Sequence, residues 1–337
     1  MPPAIADALV ALAAGDLDAA GSEAAIAAVL DEAATEADIA ALLTALSVRG
    51  LTGEALAGAA RALRSRAIRI RPGSPDLLDT CGTGGTGLST FNISTATAIV
   101  AASCGVPVAK HGNRGATSKS GSADVLEALG VGLDLPPDRV ADCIDTVGIG
   151  FLYARALHPA MRAVAGVRRR LPIRTVFNLI GPLSNPAGAP RQLLGTGNAA
   201  NALHLAEAVR ILGTERTVIV CGDNRLDEVT LSGPTQWHRV EGDRLDSGVW
   251  LPHEFGLPEV PLEALRIDTP AESAAILQAI FDGEPGPRTD LVLANAAAAL
   301  WTADRVADVS DGVAIARDAL ASGAAAETLA RLSEFTV

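Results

Sequence analysis

The stretch LLDTCGTGGTGLSTFNIST, residues 77–95, decides how this chain is read. LLDTCG is short, apolar and bounded by glycine, as a buried strand is. The run Gly82-Thr-Gly-Gly-Thr-Gly87 follows at once, and residues 92–104 continue as a helix. Glycines let a backbone turn at positive φ and approach a ligand closely, while free N–H groups at a helix start favour an anion. The stretch therefore reads as strand, anion-binding loop, helix. It also matches GxGxxG, but a dinucleotide site needs an acid about 20 residues on, at the end of the next strand, to hold the ribose hydroxyls. Here that strand, VPVAKHG, ends Val108-Ala109-Lys110-His111. A basic residue there suits phosphate better than a ribose diol, which counts against a dinucleotide-dependent oxidoreductase.

The alternation of short apolar strands with helices continues downstream. A helix is expected over 121–130, strands at IGFLYA (149–154), QLLGTG (192–197) and TVIVCG (217–222), and a hairpin over 235–250. Such alternation predicts a mainly parallel sheet. Upstream of the break RPGSPD (71–76) the pattern is different. There Ile26, Val29 and Leu30, then Ile39, Leu42, Leu43 and Leu46, recur at the spacing of amphipathic helices. Asp16, Ser22, Thr35 and Thr52 are the expected N-caps. The stretch from His158 to Pro186 is expected to be mostly helical and to pack with the N-terminal helices, and Ala-rich helices to fill most of 260–334. The expected fold is α/β, with a small helical domain (1–72, joined by part of about 158–186) and a larger α/β domain (73–337). A chain of 337 residues exceeds the usual ~100 to 200 per domain, in keeping with two unequal ones.

Composition excludes several function classes. With 27 Lys+Arg against 39 Asp+Glu the net charge is −12, which argues against nucleic acid and anionic membrane as partners. Any bound anion must meet a local cationic site. Aromatic content is 3%, too little for a base-stacking surface. Cys81, Cys104, Cys143 and Cys221 form no CxxC or Cys/His cluster and read as free thiols in a reducing compartment. The first residues lack a basic, signal-like start, and no apolar run approaches the ~20 residues of a membrane span, so a cytoplasmic protein is expected.

Three further constellations carry chemistry. Lys110-His-Gly-Asn-Arg114, followed by GATSKSGSADVLEALG with Lys119, is a second strand-to-helix turn able to bind phosphate through backbone amides and a point charge. After successive parallel strands, both loops face one cleft at the carboxyl edge of the sheet. Asp227-Glu228, just after TVIVCG, reads as a surface turn or as hard-oxygen ligands for Mg²⁺, which takes one or two carboxylates and completes its shell with water and phosphate. His158 and Arg168 lie ten residues apart, on roughly one face of a continuous helix. The run Arg168-Arg-Arg170 is either a solvated helix end or a guanidinium aimed at a carboxylate, and spacing does not decide.

Taken in order, GTGGTG with NIST, KHGNR with SGSADVLEALG, HPAM with VRR, RTVFNLIGPLSNPA and the LDE pair resemble the anthranilate phosphoribosyltransferases of tryptophan biosynthesis. The resemblance reaches from the N-terminal helices to at least Val229. It implies a homodimer made through the helical domain, with substrates in the cleft between domains. Phosphoribosyl pyrophosphate (PRPP) would be bound by Gly82, Gly85, Thr86, Thr90, Asn92, Ile93, Ser94, Thr95, Lys110, His111, Gly112, Asn113, Arg114, Ser118 and Ser122. Gly82, Asn113 and Arg168 would contact anthranilate, and Ser94, Asp227 and Glu228 would hold Mg²⁺, two ions per site. The family usually has Asp at Thr86 and Pro at Arg155, so donor affinity and the acceptor side are where this chain departs. No acid or base is assigned, since an aromatic amine is already a neutral nucleophile. His111 is either a proton acceptor or a structural imidazole. The competing readings are a transferase of the same fold with another acceptor, and a non-catalytic nucleic-acid-binding paralogue.

Overall fold

The computed structural model describes residues 1–115 and 118–337, so Ala116 and Thr117 of the second loop lie outside the described residues. Four helices come first: α1 (Pro3–Ala14), α2 (Ala19–Leu30), α3 (Glu36–Arg49) and α4 (Gly53–Arg64). Thr35 and Thr52 cap α3 and α4 as expected, each hydroxyl accepting a backbone N–H of the first turn. Asp16 and Ser22 do not act as caps. Gly15 ends α1 in the left-handed region and the Asp16 N–H donates back to Ala11, so the cap of α2 falls to Asp18. Ser22 is buried inside α2, where its hydroxyl donates to the Ala55 carbonyl of α4 at 2.7 Å.

The sheet begins with β1 (Leu78–Gly82), followed by α5 (Ile93–Ser103), β2 (Val108–Gly112), α6 (Ser122–Ala128), α7 (Pro137–Val147) and β3 (Ile149–Tyr153). The chain continues through α8 (Ala154–Leu157), α9 (Arg162–Arg170), β4 (Arg191–Gly195), α10 (Ala199–Leu212), β5 (Arg216–Gly222), β6 (Thr235–Glu241) and β7 (Arg244–Trp250). Four helices close it: α11 (Pro270–Phe281), α12 (Pro287–Thr302), α13 (Val309–Ala321) and α14 (Ala324–Thr336). The strand order is β3-β2-β1-β4-β5-β6-β7, parallel from β3 to β5 and antiparallel through β6 and β7. The fold is therefore α/β with an N-terminal helical part and a mainly parallel seven-stranded sheet.

The expected helix over 158–186 is broken into pieces. Pro159 lacks an N–H and holds His158 out of helical geometry, and Pro172 does the same to Leu171, whose ψ is 120°. Between them a 3₁₀ turn at Pro159–Met161 leads into α9, followed by single 3₁₀ turns at Val176–Asn178 and Pro182–Ser184. Val164 and Val167 of α9 nonetheless join the core of α1–α4. That core runs on through α10 to Leu194, Ile219 and Val240 of the sheet, while the opposite face is covered by α5 and α11–α14. Among the described residues, no helix is long and apolar enough to cross a membrane.

The topology already locates a crevice. From β1 the chain moves to β2 and β3 on one side, then returns to β4 and β5 on the other. Loops leaving the carboxyl ends of β1 and β4 thus part in opposite directions, and ligands of open α/β sheets sit at such a switch point.

Candidate functional site

The GTGGTG loop leaves β1 at this switch point. Its first N–H, on Thr83, donates to Gly195 of β4 at 2.8 Å, and then the backbone turns with φ of 62°, 69° and 74° at Gly84, Gly85 and Gly87. Glycine alone takes such angles without strain. Two more glycines are required by close approach. A Cβ at Gly82 would stand 2.3 Å from the Asp227 carboxylate, and one at Gly195 would stand 1.7 Å from the Asp227 carbonyl. Asp227 also accepts the Gly84 N–H at 2.8 Å. Thr86 supports the loop locally, its hydroxyl accepting the Leu88 N–H at 3.1 Å. A threonine can make this two-residue turn as an aspartate does, without the charge.

Arg174 is a member of the site that local patterns do not show. Its guanidinium donates to the carbonyls of Gly84 and Gly85, at 3.1 and 2.7 Å, and reaches Thr83 at 3.4 Å. Its own carbonyl accepts the Ser47 hydroxyl of α3 at 2.9 Å, which ties the helical part to the loop. Arg174 opens RTVFNLIGPLSNPA, but no spacing rule predicts a contact with carbonyls about 90 residues away.

Behind the loop stands a pair of carboxylates. Glu228 accepts the Ser94 N–H at 3.2 Å, and Ser94 belongs to the first turn of α5. Burial raises the pKa of Asp227, while burial and then the neighbouring Asp227 charge raise that of Glu228 well above the carboxylate range. The Lys110 charge opposes the rise at Glu228. Lys110 is 2% exposed, and its ammonium donates to the Thr80 carbonyl at 2.6 Å and lies 3.4 Å from the Ser94 hydroxyl. It lies beneath the loop and is not exposed on it. Two adjacent hard-oxygen donors, both disfavoured as anions by burial, fit a divalent cation. No group of three or more His, Cys, Asp or Glu gathers among the described residues, so a closed soft-metal cage is not the pattern.

The second loop is shaped by Ser122, whose hydroxyl accepts the Asn113 N–H at 3.1 Å. A Cβ at Gly112 would meet that same hydroxyl at 2.1 Å. Asn113 and Ser118 are exposed on the loop, as is Lys119. Arg114 turns away to a fork with Glu127, at 2.9 and 3.0 Å, and to Asp124 at 3.0 Å, so its guanidinium is already engaged. Ile93 and Thr95 are buried in α5, and Asn92 and Thr90 stay partly open at its start.

Of the two readings of His111, its burial favours the structural imidazole. Its ring is buried with Nε2 3.2 Å from Nε2 of His158, and its backbone N–H donates to Asp79 at 3.0 Å. Burial, then the neighbouring imidazole, pushes its pKa down to about 3, and burial takes His158 to about 4. This pair is a structural contact of neutral rings. His158 lies before Pro159 and outside α9, so no shared helical face aligns it with Arg168. Arg168 is half-buried, its guanidinium 5.5 Å from the Phe177 ring centre, and has no carboxylate partner among the described residues. A desolvated, unpaired guanidinium favours a carboxylate ligand.

The chain can be compared with known proteins. The glycosyl transferase family, a/b domain, matches residues 74–326, and the helical bundle domain of that family matches residues 6–67. An anthranilate phosphoribosyltransferase of Symbiobacterium thermophilum is 49% identical over 321 residues, covering 95% of this chain and 94% of that one. The crystal structure of anthranilate phosphoribosyltransferase from Thermus thermophilus superposes with a TM-score of 0.91 at 43% identity, covering 98% and 99% of the two chains. The Saccharomyces cerevisiae enzyme, solved in complex with PRPP and Mg, superposes with a TM-score of 0.90 at 28% identity, covering 98% and 97%.

The Arg174 clamp is directly testable. Arg174→Ala should speed amide hydrogen exchange across residues 83–88 by about tenfold, as expected for loss of charged hydrogen bonds. Unchanged protection there, measured by mass spectrometry, contradicts the clamp.

Proposed function

This chain belongs to the anthranilate phosphoribosyltransferase family, and from that premise we infer how its cleft transfers the 5-phosphoribosyl group of PRPP to the amine of anthranilate, releasing pyrophosphate, in tryptophan biosynthesis. The observation that carries the site assignment is the closure of the GTGGTG loop on Asp227 at the β1/β4 switch point. Donor binding falls to that loop and to the start of α5, with Gly82, Gly85, Thr86, Thr90, Asn92 and Ser94 lining it. Asn113 and Ser118 lie on the facing loop, shaped by Gly112 and Ser122. Ile93 and Thr95 contribute backbone rather than side chains, and His111 and Arg114 contribute shape.

The bond from the ribose anomeric carbon to pyrophosphate breaks as the amine nitrogen bonds to that carbon, and the nitrogen then loses a proton. The transition state has oxocarbenium character, so neutralising the leaving group is the main electrostatic task. Asp227, Glu228 and the Ser94 hydroxyl would hold Mg²⁺, two ions per site, which when bound supplies that neutralisation. Loop N–H groups and the field of Lys110 add to it. Arg168 grips the anthranilate carboxylate, and Asn113 with Gly82 orients the ring, so the amine faces the anomeric carbon. With both nearby imidazoles neutral and internal, water takes the proton.

The boundary between the helical and α/β domains falls at residue 72, in the Pro/Gly segment before β1, with α9 on the helical side. The enzyme is a cytoplasmic homodimer joined through the helical domain, a reading supported by the exposed Val10 of α1 and Val48 of α3.

Two measurements test these assignments. Asp227→Asn combined with Glu228→Gln should lower Mg²⁺-dependent turnover about a hundredfold or more. Turnover unchanged in metal dependence would place the cation elsewhere. Arg168→Ala should raise the anthranilate KM roughly tenfold to a hundredfold, the worth of a charged hydrogen bond, with the PRPP KM little changed. Equal effects on both substrates would end the carboxylate role.

A further inference from the structure

Asn92 is held by a residue far along the chain, in a segment whose sequence signals nothing but scaffold. Ser273, in the first turns of α11, is 0% exposed. Its hydroxyl accepts the Asn92 backbone N–H at 3.0 Å and donates to Asn92 Oδ1 at 2.7 Å. On the other side, Ser120 donates its hydroxyl to the same Oδ1 at 2.7 Å, and its carbonyl accepts from Asn92 Nδ2 at 3.3 Å. One amide thus joins three segments: the start of α5, the end of the second substrate loop, and α11.

The hydrogen count makes this arrangement directional. A serine hydroxyl has one hydrogen to donate. Because Ser273 Oγ already accepts the Asn92 N–H and is sealed from water, its own hydrogen needs an acceptor, and Oδ1 is the one beside it. If the amide flipped, both serine hydrogens would face an NH₂ group and stay unsatisfied. Oδ1 is therefore fixed toward Ser273 and Ser120. Nδ2 keeps one hydrogen on the Ser120 carbonyl, and among the described residues its other hydrogen has no acceptor.

The same region supports the loop a second time. Residues 89–91 pair antiparallel with 265–267: the Phe91 N–H donates to Leu265 at 3.0 Å, the Ile267 N–H donates to Ser89 at 2.9 Å, and Thr90 bridges Arg266. The segment just before α11 thus sets the loop's backbone, and Ser273 sets the side chain that follows it.

We infer that Ser273 is a positioning residue for the donor substrate: it presets the Asn92 amide with a free donor facing PRPP and couples the first substrate loop to the second. This rests on the PRPP reading above. Ser273 touches no substrate, so its effect must pass through Asn92.

The test is calorimetric titration of the full-length enzyme with PRPP and Mg²⁺, which needs no turnover, beside steady-state kinetics. Wild-type enzyme that binds PRPP but makes no phosphoribosylanthranilate would overturn the acceptor reading and leave Ser273 testable; wild type that binds no PRPP overturns both. Ser273→Ala should weaken PRPP binding about tenfold, with the anthranilate KM within about twofold and the melting temperature nearly kept. The double variant Asn92→Ala/Ser273→Ala should bind no more weakly than Asn92→Ala alone. Ser273→Cys, close in size and a weak donor, should fall between wild type and Ser273→Ala, and reads the effect should Ser273→Ala fail to fold. Wild-type PRPP affinity in the Ser273 variants, equal loss toward both substrates, or additivity with Asn92→Ala overturns the proposal.

Discussion

The site depends on one contact, that of Asp227 with bare backbone. Its carboxylate lies over Gly82 and accepts from Gly84, and its carbonyl lies over Gly195, at distances that leave no room for a Cβ. A strand-end turn from β5 is thereby drawn across the ends of β1 and β4. The consequence is chemical: an acidic pair from one loop stands beside the N–H-rich start of α5 from another. Neither loop alone forms an anion or cation site. Together they bring carboxylates and backbone donors to one place, the combination that a metal-complexed diphosphate calls for.

The loop that meets Asp227 is held from several directions. Arg174, tied through its carbonyl to Ser47, reaches it from the helical side, while the segment at 265–267 and Ser273 hold its end from the opposite side. Prior ordering of this kind lowers the entropic cost of organising a flexible diphosphate. Below the loop, Lys110 and Asp79 are both buried, and each lightens the cost of burying the other. Asp79 also accepts from Gln192 at 3.2 Å and from the His111 N–H, so the charged layer is stitched into β1, β2 and β4 at once.

Features set by local chemistry were legible in the sequence. Every expected strand is present, because short apolar runs bounded by glycine have few alternatives, and Thr35 and Thr52 cap because their helices begin cleanly after them. Both loops and the acidic pair were also visible, as each is a contiguous motif. What was not legible depends on the third dimension. Arg174 and Ser273 act across about 90 and 181 residues of chain. Lys110 was legible as a basic residue at a strand end, but not its burial against Thr80 and Ser94 beneath the loop. His158 and Arg168 share no helical face, because Pro159 starts a separate 3₁₀ turn ahead of α9.

The most direct measurement of the central claim follows the fluorescence of anthranilate when the purified protein is mixed with PRPP and Mg²⁺, and again with the metal chelated. The account predicts a steady loss of fluorescence with metal and none without it. Anthranilate fluorescence that persists with PRPP and Mg²⁺ present, or that is lost equally after chelation, contradicts it.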